Sequence, residues 1–228
     1  MTAALLALPV ALLGGYLYWR YIWFFRNPPR SAPPGENLVS PADGTVVYVN
    51  LVQPGEDVIS IKQGVKAKAE DILKEDLEET KVLIGIFMSP FSVHYNRAPL
   101  SGRVEFIKHH PPVFKNHHMG PMHWRTLWGR PPLYRNSLHI LRNERTVTKM
   151  QGDFQGKSLP CYVIQIAGKS VSGIDSYYQP GDQVTKGEVF GMIRIGSQVD
   201  LVAPYKMGMN ILVKPGDRVR AGETILIS

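Results

Sequence analysis

PGDQVTKGEVFGMI, residues 180–193, returns thirty-five residues later as PGDRVRAGETILI, residues 215–227. Both copies read PGD-x-V-x-x-G-E: a Pro-Gly turn, a short alternating strand, a Gly-bearing turn and a second strand. Between them lies GMIRIGSQVDLVAP, residues 191–204, and the repeat places its Gly196-Ser197 pair at an exposed tip, a position suited to chemistry. Residues 40–58, SPADGTVVYVNLVQPGEDV, resemble residues 203–219, APYKMGMNILVKPGDRV. The same hairpin thus recurs at both ends of the domain, and pairing of those ends gives a mainly β body.

The chain of 228 residues suits one sizeable core with an appendage. Its 44% apolar content, with 21 Gly and 18 Pro, describes a turn-rich globular protein and excludes disorder. The single Cys161 sits in an apolar run and reads as a buried small hydrophobe; no intrachain disulfide can form. A net charge of +7 favours anionic partners, nucleic acid or an anionic membrane surface. The N-terminus decides for the membrane. Residues 1–19 carry no charged side chain, and as a helix at about 1.5 Å per residue they reach roughly 28 Å, close to a bilayer core. Trp23, Phe24 and Phe25 then interleave with Arg20, Arg26 and Arg30, as in an interfacial belt followed by a cytoplasmic flank. Residues 1–25 are therefore expected to anchor the protein in the cell membrane, with 26–37 a Pro-rich linker and 38–228 the main, cytoplasmic domain.

Within that domain, residues 82–88, VLIGIFM, predict a fully buried strand, and the segment after it holds His94 and Arg97 rigidly. Residues 66–80 predict a short surface helix or a long loop. Five of the seven histidines fall in 109–136 with Trp124, Trp128, Arg125 and Arg130. Their spacing offers neither H-x-H nor HExxH, so no metal site is expected, and tryptophans among arginines suit a lipid headgroup interface better. Residues 137–143 and 144–150 both alternate as strands, and 160–167 reads as another, apolar strand.

With Ser-Pro-Ala-Asp-Gly at 40–44, Met-Ser-Pro at 88–90 followed by His94, Arg-Asn-Glu-Arg at 142–145 and Gly-Ser at 196–197, the chain resembles the short forms of the phosphatidylserine decarboxylases. That resemblance implies a proenzyme that cuts itself at Gly196-Ser197 into 1–196 and 197–228. Ser197 Oγ attacks the Gly196 carbonyl, and the ester that forms eliminates to leave a pyruvoyl group derived from Ser197, the only cofactor implied. Gly196, lacking a Cβ, permits the strained approach. The same resemblance implies that Asp43 and His94 do the acid and base work, and that a serine phospholipid loses CO2 to become phosphatidylethanolamine. The longer family members carry a second His three residues after the first, where this chain has Arg97, so either His94 serves both steps or Arg97, with Asn96 beside it, binds the lipid phosphate or carboxylate. Gln198 stands where Thr or Ser is usual. The expected partners are the phospholipid and the anionic membrane surface, not nucleic acid, with a homo-oligomer left open.

The repeated hairpins are also similar to those of biotinyl and lipoyl carrier domains. This gives the expected fold its detail: a duplicated hairpin, a barrel-sandwich-like core, few short helices and an N-terminal membrane segment. It also supplies a rival reading, a membrane-anchored carrier or adaptor without catalysis. Aligned on Ala-Pro and the following Pro-Gly-Asp, however, the carrier lysine would fall at about position 196, where the Gly-Ser pair stands. A zinc peptidase whose domain opens with a similar Ala-Asp-Gly strand would need paired His ligands that the sequence lacks.

Overall fold

The computed structural model describes residues 2–54, 56–62, 65–68, 72, 79–169, 173–194 and 196–228. It is mainly β with a few short helices. The strands are β1 (Leu38–Val39), β2 (Gly44–Val52), β3 (Asp57–Lys62), β4 (Val65–Lys68), β5 (Lys81–Met88), β6 (Tyr95–Arg97), β7 (Gly102–His110), β8 (Arg145–Phe154), β9 (Lys157–Ala167), β10 (Ile174–Ser176), β11 (Gln183–Val184), β12 (Val189–Ile193), β13 (Ser197–Pro204), β14 (Arg218–Val219) and β15 (Ile225–Ile227). The helices are α1 (Thr2–Tyr18), continued by a π-helical turn at Trp19–Trp23, α2 (Gly120–Trp128) and α3 (His139–Arg142).

Eight strands form one antiparallel sheet in the order β11-β7-β8-β9-β13-β5-β2-β14. Every residue of β5 and β13 is buried, because both faces of the sheet are covered. Successive side chains of a strand point to opposite faces. Val82, Ile84, Ile86 and Met88 of β5 accordingly join Val199 and Leu201 in one core with Phe190, Ile193 and Ile227, whereas Leu83 and Phe87 join Val202 in a second core beneath Met122, Leu133 and Ile140. Each fully buried aliphatic side chain of this double-sided strand pair contributes about 1.5–3 kcal/mol. A second, three-stranded sheet, β10-β12-β6, lies over the first core.

The repeat is an internal duplication. In the first copy β11 pairs with β7 (Val184 with Gly102); in the second, β14 pairs with β2 (Val219 with Gly44). Gly181 N–H donates to Val104 O and Gly216 N–H to Val46 O, both at 2.8 Å. The correspondence continues upstream: Val39 N–H donates to Pro99 O and Arg97 N–H to Pro41 O, both at 2.9 Å, so residues 38–46 and 96–104 are equivalent and face one another. Gly44 and Gly102 answer the same requirement, since a Cβ on either would lie 2.1 Å from a neighbouring backbone oxygen.

This arrangement corrects the placement of Gly196-Ser197 at an exposed tip. The two copies dock on opposite edges of the large sheet, so the chain joining them must cross its middle, and Ser197 begins the central strand β13, fully buried. The strand expected at 137–143 is instead a loop and the single turn α3, because Ile140 reaches the second core from a helical turn too short to show its own periodicity. Of residues 66–80, Lys66–Lys68 lie in the β3–β4 hairpin and Ile72 is buried; most of the remainder falls outside the described residues. Cys161 is buried as expected, and burial pushes its thiol above the ordinary range. Among the described residues no helix is long and apolar enough to cross a membrane. Residues 26–37 are fastened to the body: Arg26 donates to Phe91 O, Arg30 pairs with Asp43, and Gly35 O accepts from Lys186.

Candidate active site

Ser197 pairs across β13 with Met88 on one side and Ala167 on the other. Its Oγ donates to Met88 Sδ at 3.2 Å. Thioether sulfur is a weak acceptor, so the hydroxyl is parked in a bond that costs little to leave. Gly196 before it has φ +63°, a left-handed conformation natural to glycine, and open space where a Cβ would stand.

The backbone beside Ser197 is fixed by the Arg-Asn-Glu-Arg stretch. Asn143 Nδ2 donates to Ala167 O at 2.6 Å, and Ala167 N–H donates to Glu144 O at 2.9 Å. Asn143 Oδ1 also accepts from His117 N–H, and Arg145 returns to Asn143 O, so the motif braces the strand partner of Ser197.

His94 lies where the small sheet meets the large one. Its carbonyl accepts from Ile193 N–H at 3.3 Å, tying it to β12, the strand leading toward Gly196. Its side chain is fully buried, with the Phe24 ring 4.2 Å away between centroids. Nδ1 lies 2.9 Å from Ser92 O, which can only accept; Nδ1 therefore carries the proton and Nε2 the free lone pair. Nε2 is buried with no hydrogen-bond partner among the described residues. Burial, assisted by the Arg26 charge, pulls the imidazole down to about 4, against the Ser92 bond and the Asp43 charge, which raise it. At neutral pH His94 is an uncharged base with an unused lone pair.

Asp43 does not hydrogen-bond to His94. It receives both terminal nitrogens of Arg30, at 2.7 and 2.8 Å, and the Ala221 N–H at 2.8 Å. Its influence on His94 is that of a nearby charge. Arg97 reaches Gly187 O (2.8 Å), Asn27 Oδ1 (2.6 Å) and Pro28 O (3.2 Å), clasping the N-terminal segment to the first repeat copy. Asn96 Oδ1 accepts from Gln165 while its Nδ2 faces Pro41 O and, at 3.8 Å, Met88 Sδ. Asn96 and Ser197 thus meet at one sulfur. Of the expected site residues only Asp43 lines a cleft of about 660 Å³, whose walls also include Phe87, Ser89, Phe91, Ser92 and His123; Ser197, His94, Asn96 and Arg97 lie outside that lining. No group of side chains suited to a metal ion occurs among the described residues.

The sequence reading missed a buried polar network on the opposite face of β13. Gln198 Oε1 lies 3.0 Å from His139 Nε2, and Gln198 Nε2 donates to Tyr48 Oη (2.6 Å) and Asp200 Oδ1 (2.7 Å); Tyr48 Oη in turn donates to Asp200 Oδ2 at 2.7 Å. Burial raises the Asp200 carboxyl to about 6, lowers His139 to about 4 and lifts the Tyr48 hydroxyl well above its usual value. The signal was two polar residues, Gln198 and Asp200, at i and i+2 in an otherwise apolar central strand. This network anchors the strand whose first residue is Ser197.

The fold and site define a class: a β-rich protein with a serine buried behind a left-handed glycine and a neutral histidine, one ring nitrogen free, at the start of the neighbouring small sheet. Residues 17–227 match the family model for phosphatidylserine decarboxylase. A Methanopyrus kandleri protein, provisionally named an archaetidylserine decarboxylase proenzyme, is 38% identical over 208 residues, covering 90% of this chain and 80% of that relative. The phosphatidylserine decarboxylase proenzymes of Chlorobium phaeovibrioides and Xanthobacter autotrophicus are each 33% identical, over 96% and 93% of this chain and 81% and 74% of their own lengths. The chain belongs to the phosphatidylserine decarboxylase family. A non-catalytic carrier or adaptor is not favoured.

Proposed function

We infer that the chain is a carboxy-lyase that converts phosphatidylserine, or an archaeal lipid with the same serine headgroup, to the ethanolamine lipid and CO2. It does so after cutting itself between Gly196 and Ser197. The observation that carries this reading is the buried Ser197 hydroxyl behind Gly196 at φ +63°, with the bare Nε2 of His94 on the adjoining sheet.

In processing, His94 Nε2 takes the Ser197 hydroxyl proton as Oγ leaves Met88 Sδ and adds to the Gly196 carbonyl carbon. The C–N bond breaks, its nitrogen gains the proton, and an ester replaces the amide. Elimination frees the Gly196 carboxylate, and hydrolysis of the resulting dehydroalanine releases ammonia. The burial of Ser197 and His94, with the unpaired Nε2 acceptor, fits a pyruvoyl at position 197, which would supply a carbonyl able to draw off the electron pair left by CO2. Around it, His94 holds or returns a proton and Asp43 keeps its charge nearby. Asn96 and Arg97, expected to bind substrate, are read here as positioning residues, because their terminal nitrogens are engaged within the protein.

Residues 1–25 are proposed to hold the protein at the cell membrane, with 26–37 as a linker and the catalytic domain, 38–228, on the cytoplasmic side. In support, Leu12, Leu13, Leu17 and Ile22 are exposed and Arg26 stacks on Trp23 at 4.2 Å. The likeness of the two hairpin copies to biotinyl and lipoyl hairpins is kept as a likeness of form, without a carrier role. Intact mass tests the function: two polypeptides are expected, the smaller of 32 residues with a blocked N-terminus. Ser197→Ala should remain a single chain and release no CO2; a cleaved Ser197→Ala protein is incompatible with this chemistry.

A further inference from the structure

Helix α2 carries its apolar side chains on the wrong side for a globular protein. Met122 is buried under the large sheet, and His123, Thr126 and Leu127 form one wall of the cleft. Yet Trp124, Leu127 and Trp128, at i, i+3 and i+4, are 51%, 58% and 58% exposed. The two indoles stack on one another at 5.0 Å, and Arg130 lies over Trp128 at 5.2 Å. Large aromatic groups held in water in this way mark an interaction surface.

The chemistry of the surroundings identifies the partner. Residues 109–136 contain Lys115, Arg125, Arg130 and Arg135 and no Asp or Glu, so the segment that carries the exposed indoles is cationic. Tryptophan with arginine and without acid matches the boundary between acyl chains and anionic headgroups. The location agrees. Across the cleft from α2 stands Phe91, 63% exposed, whose ring meets Trp19 and whose carbonyl holds Arg26. The end of the N-terminal helical segment and α2 therefore flank the same opening.

We propose that α2 is a second membrane-contact element, separate from the N-terminal segment, which inserts Trp124 and Trp128 into the surface of an anionic bilayer and sets the mouth of the cleft against the lipid. This rests on the reading of the protein as a phospholipid decarboxylase, for it gives the substrate headgroup a path from bilayer to cleft without leaving the interface.

The test uses the full chain. Trp19→Phe/Trp23→Phe leaves Trp124 and Trp128 as the only indoles of the four. Mixed with vesicles of phosphatidylcholine and phosphatidylglycerol bearing brominated acyl chains, this protein should show a blue-shifted, quenched emission, weaker on phosphatidylcholine alone. In the otherwise native chain, Trp124→Gln/Trp128→Gln should raise KM for serine lipid in such vesicles by about tenfold or more. Self-cleavage and turnover of a short-chain, monomeric serine lipid should be unchanged. Unquenched emission, equal quenching on neutral vesicles, or an unaltered vesicle KM would each overturn the proposal. If the unsubstituted enzyme failed to turn over even the monomeric lipid, the decarboxylase reading would fall instead, while the fluorescence would still report on the membrane contact.

Discussion

Self-cleavage should tolerate acid far better than an ordinary histidine base allows. Burial holds His94 down to about 4, so its lone pair stays available as the pH falls. At pH 5.5 an imidazole titrating at about 4 is ~97% neutral, whereas one with the usual value of about 6.5 is only ~9% neutral, a difference of about tenfold in active base. The assay is cell-free synthesis of the proenzyme in a form that accumulates uncut, followed by a jump to buffers between pH 4 and 8 and quantification of the two fragments by gel. The rate constant should stay level from pH 8 to about 5.5 and fall only as the pH approaches 4. Circular dichroism must accompany it. His94 and His139 both titrate lower in the folded chain than when unfolded, so the unfolded state binds more protons between about 4 and 6.5, and stability from these groups is lost as the pH falls through that window. Asp200, raised to about 6, acts in the opposite sense, contributing stability that is lost as the pH rises through that value. A cleavage rate that halves near pH 6.5 in a folded protein would refute the assignment of a desolvated His94 as the base.

Two further outcomes follow from the contacts of His94 and Asp43. Phe24→Ala removes the ring that excludes water from His94, so the midpoint of the cleavage profile should move upward toward the ordinary histidine value, by on the order of one unit; an unmoved midpoint would show that Phe24 is not the source of the desolvation. Asp43→Ser should keep the hydrogen bond to Ala221 N–H but strand Arg30, costing about 2 kcal/mol in urea unfolding and slowing cleavage by leaving His94 a still weaker base; native stability together with native cleavage would dismiss both roles.

What the sequence disclosed depended on whether the information was local. The run of residues 82–88 could hardly be anything but a buried strand, and the PGD repeat announced its own hairpins, because periodicity and turn chemistry act over a few residues. The position of Ser197 was misread for the opposite reason: adjacency to two hairpins along the chain says nothing about where those hairpins dock, and they dock on opposite edges. Arg30 as the partner of Asp43 was hidden by the proline-rich stretch, which composition presents as a spacer and the structure fastens down. The Gln198 network also draws on His139 and Tyr48, and no rule of spacing joins residues 59 and 150 positions apart. The Arg-Asn-Glu-Arg stretch lay between these cases: legible as a signature, but with its task of bracing Ala167 visible only once β9 and β13 are paired.

The duplication explains why Asp43 stands where it does. In the half of the body that contains the first repeat copy, Ser101 Oγ accepts the Lys186 N–H at 2.9 Å; in the other half, Asp43 Oδ1 accepts the Ala221 N–H at 2.8 Å from the equivalent position. The shared requirement at both places is one oxygen that caps a turn, and in one half serine meets it. A carboxylate strengthens the cap and brings a charge whose desolvation must be offset, which Arg30 does from the proline-rich segment before the domain. Asp43 thus does more than its serine counterpart, for it fastens Arg30 as well as capping the turn. Positions 38 and 39 of one half are Leu and Val, while their counterparts 96 and 97 in the other are Asn and Arg, directly after His94. Each half has departed from the shared pattern at a different point, and the departures, Asp43 from one and His94 to Arg97 from the other, converge where the halves exchange the Val39–Pro99 and Arg97–Pro41 hydrogen bonds. With His94 as the proposed base, a site assembled across such a seam needs both halves docked, which ties self-cleavage to completion of the fold.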